Sequence, residues 1–187
     1  MKKYELTTET IDFLGKTLFR IKALTDFGTV KSGDLGGYIE SENNLSHDGN
    51  AWVGYDAKVC GDAKVCGDAW IRDNAWIGDN AWIGGCAKVI DNAEVGGNAT
   101  VCGDAKVGGD AKVEGNADYT TIKGFGTRFR NTTFFRCKDD TVKVSCGCFL
   151  GTIDEFREQV KKTREGKVAE EYLRIADLME FHFKKEE

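Results

Sequence analysis

Residues Ala51 to Asn116 read AWVGYD, AKVCGD, AKVCGD, AWIRDN, AWIGDN, AWIGGC, AKVIDN, AEVGGN, ATVCGD, AKVGGD and AKVEGN, eleven hexapeptides without a gap. Position one is Ala in all eleven, position three is Val or Ile in all eleven, and position six is Asp or Asn in ten, Cys86 being the exception. Two inward residues flanking one outward residue is the alternation of a short strand. The Gly, Asp and Asn that follow tolerate a sharp corner. Each hexapeptide is therefore one strand and one corner, and three of them close a triangular coil of 18 residues. The segment makes about 3.7 such coils, stacked at the ~4.8 Å spacing of neighbouring strands. A mainly β fold built on a parallel β-helix follows.

The corners support the same phase independently. An 18-residue step stacks Asp56, Asn74, Asn92 and Asp110 at one corner, Asp62, Asn80, Asn98 and Asn116 at the second, and Asp68, Cys86 and Asp104 at the third. No Asp lies directly over another, so like charges about 5 Å apart are avoided while Asn keeps the same turn bond.

Outward from the repeats, both open ends of a solenoid need covers. Upstream, Leu18 to Leu24 reads as a strand, and Ile39 and Leu45 extend a degenerate coil from about Gly37. In that phase His47 takes position three and points inward. Downstream, residues 133 to 149 read as a hairpin turning at Asp139 and Asp140. Pairing Phe135 with Val144 and Cys137 with Val142 puts Phe135, Cys137, Val142, Val144, Cys146 and Cys148 on one face. Two helices are expected at about 153–163 and 167–184. Thr152 and Glu155 form a capping box for the first, and Val168, Tyr172, Ile175, Met179 and Phe183 stripe the second. The organisation is thus a capping segment 1–38, a β-helix 39–119 and an α+β unit 120–187.

Composition narrows the chemistry. The 187 residues contain 23 Gly, no Pro, 7 Cys and only 2 His, with a formal charge of -5. That balance argues against a broad phosphate-neutralising face. Neither an apolar run of membrane-spanning length nor a secretory leader is visible, so a soluble, cytoplasmic chain with reduced thiols is expected. His47 and His182 cannot assemble a three-histidine zinc site in one chain. Cys146 and Cys148 lack the second pair of a structural zinc motif, and Cys66 and Cys102 lie two coils apart, too far for a disulfide. No metal and no cofactor is expected.

The upstream flank carries a family likeness: Arg20, Ile21, Ala23, Asp26, Phe27, Val30, Lys31, Gly33, Gly36 and Gly37, then Glu42, Asn44, Leu45 and Ser46 leading into Trp52 and Val53. Residues 16 to 119 resemble functionally uncharacterised hexapeptide-repeat proteins of bacteria and their phages, often labelled transferases. The SCGCFLGTIDEF segment resembles the tail of phage-encoded members. The resemblance implies a left-handed helix and a phage origin, with the host cytoplasm as the compartment, and supplies no established reaction. Hexapeptide-repeat acyltransferases, which resemble the chain in the coil, use a histidine base and bind acyl-CoA between subunits; the eleven repeats here contain no His and no extruded loop.

The binding candidates are aromatic and basic. Trp52 and Trp70 share one outer face, and Trp76 and Trp82 lie on the other two. Exposed aromatics of that size call for a cover: the chain's own flanks, a symmetric copy, or a foreign macromolecule. Three directions are too many for one small flank, so a homo-oligomer and a protein partner are expected, with no membrane. Position-two lysines such as Lys88 and Lys106 read as a solvated face. Lys123, Arg128, Arg130 and Arg136, interleaved with Phe125, Phe129, Phe134 and Phe135, form a second candidate surface, nucleic acid being its less favoured partner. The expectation is a non-catalytic module presenting a rigid surface to a macromolecule. A counter-defence protein that blocks a host immune factor, such as a CRISPR effector, is its sharpest form. An acyltransferase and a virion or scaffold component are the alternatives.

Overall fold

The computed structural model describes residues 2–184; Met1 and residues 185–187, the extreme ends of the expected capping and α+β segments, lie outside the described residues. Every position-one Ala and every position-three Val or Ile of the eleven hexapeptides is buried, none above 1% exposed. They fill the axis of a β-solenoid of about four turns. Eleven two-residue strands, β4 to β14, occupy positions two and three of successive hexapeptides, from Trp52–Val53 to Lys112–Val113. Position-two and position-four amides donate to the next coil, as in Lys58 N–H to the Ala75 carbonyl at 2.9 Å and Cys60 N–H to the Ile77 carbonyl at 3.0 Å. Parallel pairing at an 18-residue step makes three outer columns. The first face carries Trp52, Trp70, Lys88 and Lys106. The second carries Lys58, Trp76, Glu94 and Lys112. The third carries Lys64, Trp82 and Thr100.

Corners are made by position five, where ten of eleven residues have φ between 53 and 70°. Three of these are Asp, and their carboxylates tie coils together: Asp79 Oδ2 accepts the Gly97 N–H and Asp91 Oδ2 accepts the Gly109 N–H, each at 2.8 Å. The position-six columns form as the sequence phase requires, with Asn74 Nδ2 donating to Asn92 Oδ1 at 3.4 Å and Asn80 Nδ2 to Asn98 Oδ1 at 3.2 Å.

The first coil departs from the 18-residue phase. Ile39 pairs with Val59 and Leu45 bridges Val65, a step of 20 residues, so two extra residues lie between Leu45 and Val53. Leu45, not His47, therefore fills the position-three site. His47 sits in the enlarged corner and stacks on the Tyr4 ring, with centroids 4.3 Å apart.

Above this coil, β1 (Tyr4–Phe13) and β2 (Lys16–Ala23) form an antiparallel hairpin, and β3 (Leu35–Ile39) joins them to the second face, giving a seven-stranded sheet. Lys3 is buried beneath the hairpin and donates to the carbonyls of Gly49 and Ala51, with its ammonium 5.0 Å from the Phe27 ring centroid. Burial lowers its pKa to about 8, against the opposing pull of Asp48 and Asp68.

The other end is closed by a four-stranded antiparallel sheet: β15 (Tyr119–Phe125), β16 (Arg130–Arg136), β17 (Val142–Cys146) and β18 (Phe149–Thr152). Two helices cover it, α1 (Ile153–Thr163) and α2 (Gly166–Phe183). The Thr152–Glu155 capping box is present, with reciprocal bonds of 3.2 and 2.8 Å. The β16–β17 register differs by one residue from the sequence reading: Phe134, not Phe135, opposes Val144, and Arg136 opposes Val142. The expected single apolar face is accordingly split. Phe134, Val142, Val144 and Cys146 pack against the helices, Phe135 and Cys137 pack on the solenoid end, and Cys148 is exposed. Phe134 and Phe135 are adjacent and both fully buried, so apolarity alone leaves the register open by one residue. No helix among the described residues is long and apolar enough to cross a membrane.

Two measurements test these constraints. Gly97 (φ +56°) has no room for a Cβ against the Glu114 carbonyl, whereas Gly103 (φ +69°) has open space there. Gly103→Ala should cost only the left-handed backbone, about 1–2 kcal/mol, and Gly97→Ala distinctly more, as read by urea unfolding. For Lys3, the unfolded chain holds its proton up to a higher pH than the folded one, so folding gains stability as pH rises from about 8 towards the ordinary lysine value of 10.5. The difference in stability between wild type and Lys3→Met should change across that window in favour of wild type, by at most about 1.4 kcal/mol per pH unit.

Candidate functional site

The four tryptophans have different fates. Trp52 is 3% exposed, held edge-on by Phe27 at 5.4 Å and Tyr4 at 6.4 Å between centroids. Trp76 is half-buried under Phe13 of the hairpin, centroids 5.9 Å apart, and its indole N–H points to Cys60 Sγ at 3.3 Å. One flank thus reaches two faces, because β1 and β2 are long enough to fold the hairpin over the second face while the Phe27 loop covers the first. Trp70 is partly buried, packed on the core. Trp82, 39% exposed on the third face, is the tryptophan left open.

The basic residues divide similarly. Arg136 is structural: it lies 3.5 Å from the Asp118 carboxylate, donates to the Phe183 carbonyl at 2.7 Å and stacks over the Phe183 ring. Phe134 and Phe135 are core, while Phe129 is 66% exposed. Lys123 pairs with Asp104 at 2.9 Å, which lowers the pKa of that carboxyl. Arg128 lines a recess beside α1, and Arg130 stands between that recess and the first face.

On the first face the structure assembles what the sequence reading dispersed. Trp70, Lys88 and Lys106 stack as one column, about 10 Å from end to end at the strand spacing. Arg72 lies beside them with its guanidinium 5.1 Å from the centroid of the exposed Tyr55 ring. A groove of about 610 Å³ runs over Trp70, Arg72, Lys88 and Lys106, walled at one end by Gly28 and Thr29 of the N-terminal cap. It continues into a second hollow of about 460 Å³, where Lys88 and Lys106 meet Lys123, Arg130 and Phe129 of the C-terminal unit.

The acids of this groove are engaged by the protein itself. Asp68 accepts from the Asn50 backbone and side chain at 3.1 and 2.8 Å, Asp73 accepts the Asp91 N–H, and Asp104 holds Lys123. The ammonium groups of Lys88 and Lys106 have no ion pair among the described residues. Lys88 and Lys106 were missed as a site because a lysine at position two reads as solvated in a single hexapeptide, and Arg72 because it stands at position four, among the corner residues. The signal lay in the 18-residue column, which places two lysines directly below Trp70.

Thiols do not form a second centre. Burial raises the pKa values of Cys60, Cys66 and Cys137, and among the described residues no three His, Cys, Asp or Glu side chains come together to hold a metal. His47, the histidine weighed as a base, accepts the Lys3 N–H through Nδ1 at 3.4 Å and faces Glu42 at 3.6 Å, inside the cap packing.

No family model matches the chain, and no curated protein matches it.

Iodide quenching of tryptophan fluorescence checks the division of the aromatics. Trp82→Phe should lower the quenchable emission clearly, whereas Trp52→Phe should leave the quenchable fraction nearly unchanged.

Proposed function

We propose that this chain is a non-catalytic binding module whose rigid solenoid presents the first-face groove to an acidic surface on a protein partner. The observation that carries the reading is the column of Trp70, Lys88 and Lys106, an aromatic platform followed by two cations without counter-ions, on a backbone that cannot rearrange. Aromatic and cationic anchors fixed in advance lose little conformational entropy on binding, which is what an interface hot spot requires. The groove is short and closed by protein at both ends, and Asp68 and Asp73 line it beside its cations. An extended phosphate chain calls for a longer, uniformly positive track, so an acidic protein surface is favoured over nucleic acid.

Within this reading, the resemblance to phage-encoded proteins supports the sharper form, a counter-defence protein that blocks a host immune factor such as a CRISPR effector. The acyltransferase alternative rests on resemblance alone, since His47 is engaged in cap packing. Trp82 supports self-association, a second copy being able to cover it.

The experiment is affinity capture by the tagged chain from host lysate, with wild type compared with Lys88→Glu/Lys106→Glu. A specific protein held by wild type, weakened by added salt and lost at least about tenfold in the double variant supports the groove, since screening and charge reversal act on the same contacts. Capture of nothing but the chain itself, or an unchanged set of partners with the variant, overturns it. Capture of nucleic acid in place of protein overturns the choice of partner. Expression that leaves every host defence system fully active removes the counter-defence form.

A further inference from the structure

The C-terminal unit contains a second, smaller recess that the groove does not use. It lies between the β17–β18 turn, the end of α1 and the body of α2, with a volume of about 120 Å³. Its floor is apolar, formed by Phe149, Phe156 and Val160, and its walls carry Arg128, Arg130, Arg164 and Tyr172, whose hydroxyl donates to the Phe125 carbonyl at 3.2 Å. No Asp or Glu lines it. Arg128 and Arg130 make no ion pair among the described residues, and the Arg164 guanidinium donates only to the neighbouring Thr163 carbonyl at 2.9 Å.

The arginines are brought together by construction. Arg130 on β16 and Arg164 at the end of α1 line the same recess as Tyr172, and both oppose the burial that raises the Tyr172 pKa. Gly147 stands at φ +64° in the β17–β18 turn, and a Cβ there would collide with Arg130 Nη1. The absence of a side chain lets the guanidinium lie across the turn. Three cations around one recess repel one another, and an anion bound among them offsets that repulsion. Guanidinium forks match the oxygens of a tetrahedral anion in pairs.

We infer that this recess is a binding site for a phosphoryl group, presented either as free phosphate or as a phosphate monoester. The size sets the class: a recess of about 120 Å³, below the roughly 150 Å³ of a cavity that takes a benzene, seats a single tetrahedral group. The site is separate from the groove, with Arg130 and Gly147 on the ridge between them, so Arg164 reports on the recess while Lys88 and Lys106 report on the groove.

The test is calorimetric titration of the full chain in a phosphate-free, low-salt buffer with sodium phosphate and, in parallel, with O-phosphoserine. Binding is expected with a dissociation constant of about 1 mM or tighter. Arg164→Ala and Gly147→Ala should each weaken it at least about tenfold, and Lys88→Ala/Lys106→Ala should leave it unchanged. Circular dichroism melting verifies that each variant is folded, and Arg164→Lys, which keeps the charge and loses the fork, should fall between wild type and Arg164→Ala. Tighter binding of phosphoserine assigns the site to a phosphorylated chain, and equal binding assigns it to the free anion. No binding of either probe up to about 10 mM, equal affinity in folded Arg164→Ala, or loss in the Lys88/Lys106 variant instead overturns the inference.

Discussion

Every part of this molecule answers to the hydrogen bonds between successive coils. Because the N–H groups at positions two and four donate to carbonyls one coil further on, the coils must advance in equal steps, and residues 18 apart are locked one above another. Ala at position one and Val or Ile at position three are the side chains whose volumes fill a triangular axis at that spacing, with branched side chains suited to a strand. The same constraint turns position two into three straight columns on the outside. A solenoid thus displays side chains in fixed order with no loop entropy to lose, and the Trp70–Lys88–Lys106 column is a direct product of that geometry.

The second consequence is that both ends expose unpaired strand edges, and the two caps meet that need differently. At the N-terminal end the first coil is enlarged by two residues, and β3 hands the sheet on to a hairpin long enough to reach back along the second face. Its aromatics cover Trp52 and part of Trp76, so these two tryptophans serve the packing. At the C-terminal end a sheet lies across the last coil, with Phe135 and Cys137 facing the solenoid and Phe134 and Val144 facing the helices. The caps also wall the first-face groove at either end, and the C-terminal one contributes Lys123 and Arg130 to it.

Electrostatics follow the same division. The acids at the corners are held by backbone N–H groups of the neighbouring coil or by side-chain donors, so much of the chain's negative charge is tied to keeping coils in step. Lys88 and Lys106 in the groove, and the arginines of the recess beside α1, form no ion pair among the described residues. A protein whose net charge is -5 therefore presents locally positive surfaces, and the sign of the whole is a poor guide to the sign of the parts.

The repeat, the number of coils, the buried positions and the corner columns were legible in the sequence because a hexapeptide period repeats one local rule eleven times, each copy reinforcing the phase of the others. The two helices were legible because a capping box and a 3.6-residue stripe are local signals. Tertiary structure alone decided the rest. The two-residue enlargement that displaced His47 is a single event with no repeat to expose it. The one-residue difference at Phe134 and Phe135 arose because the two are adjacent and equally apolar, so the pattern does not say which of them faces the helices. Which tryptophans are covered depended on the length and direction of a hairpin. The groove and the arginine recess exist because residues far apart in sequence, Trp70 with Lys106 and Arg130 with Arg164, meet only after the coils stack and the C-terminal unit docks: a periodic pattern determines which face a residue is on, and the packing of the ends determines what stands beside it.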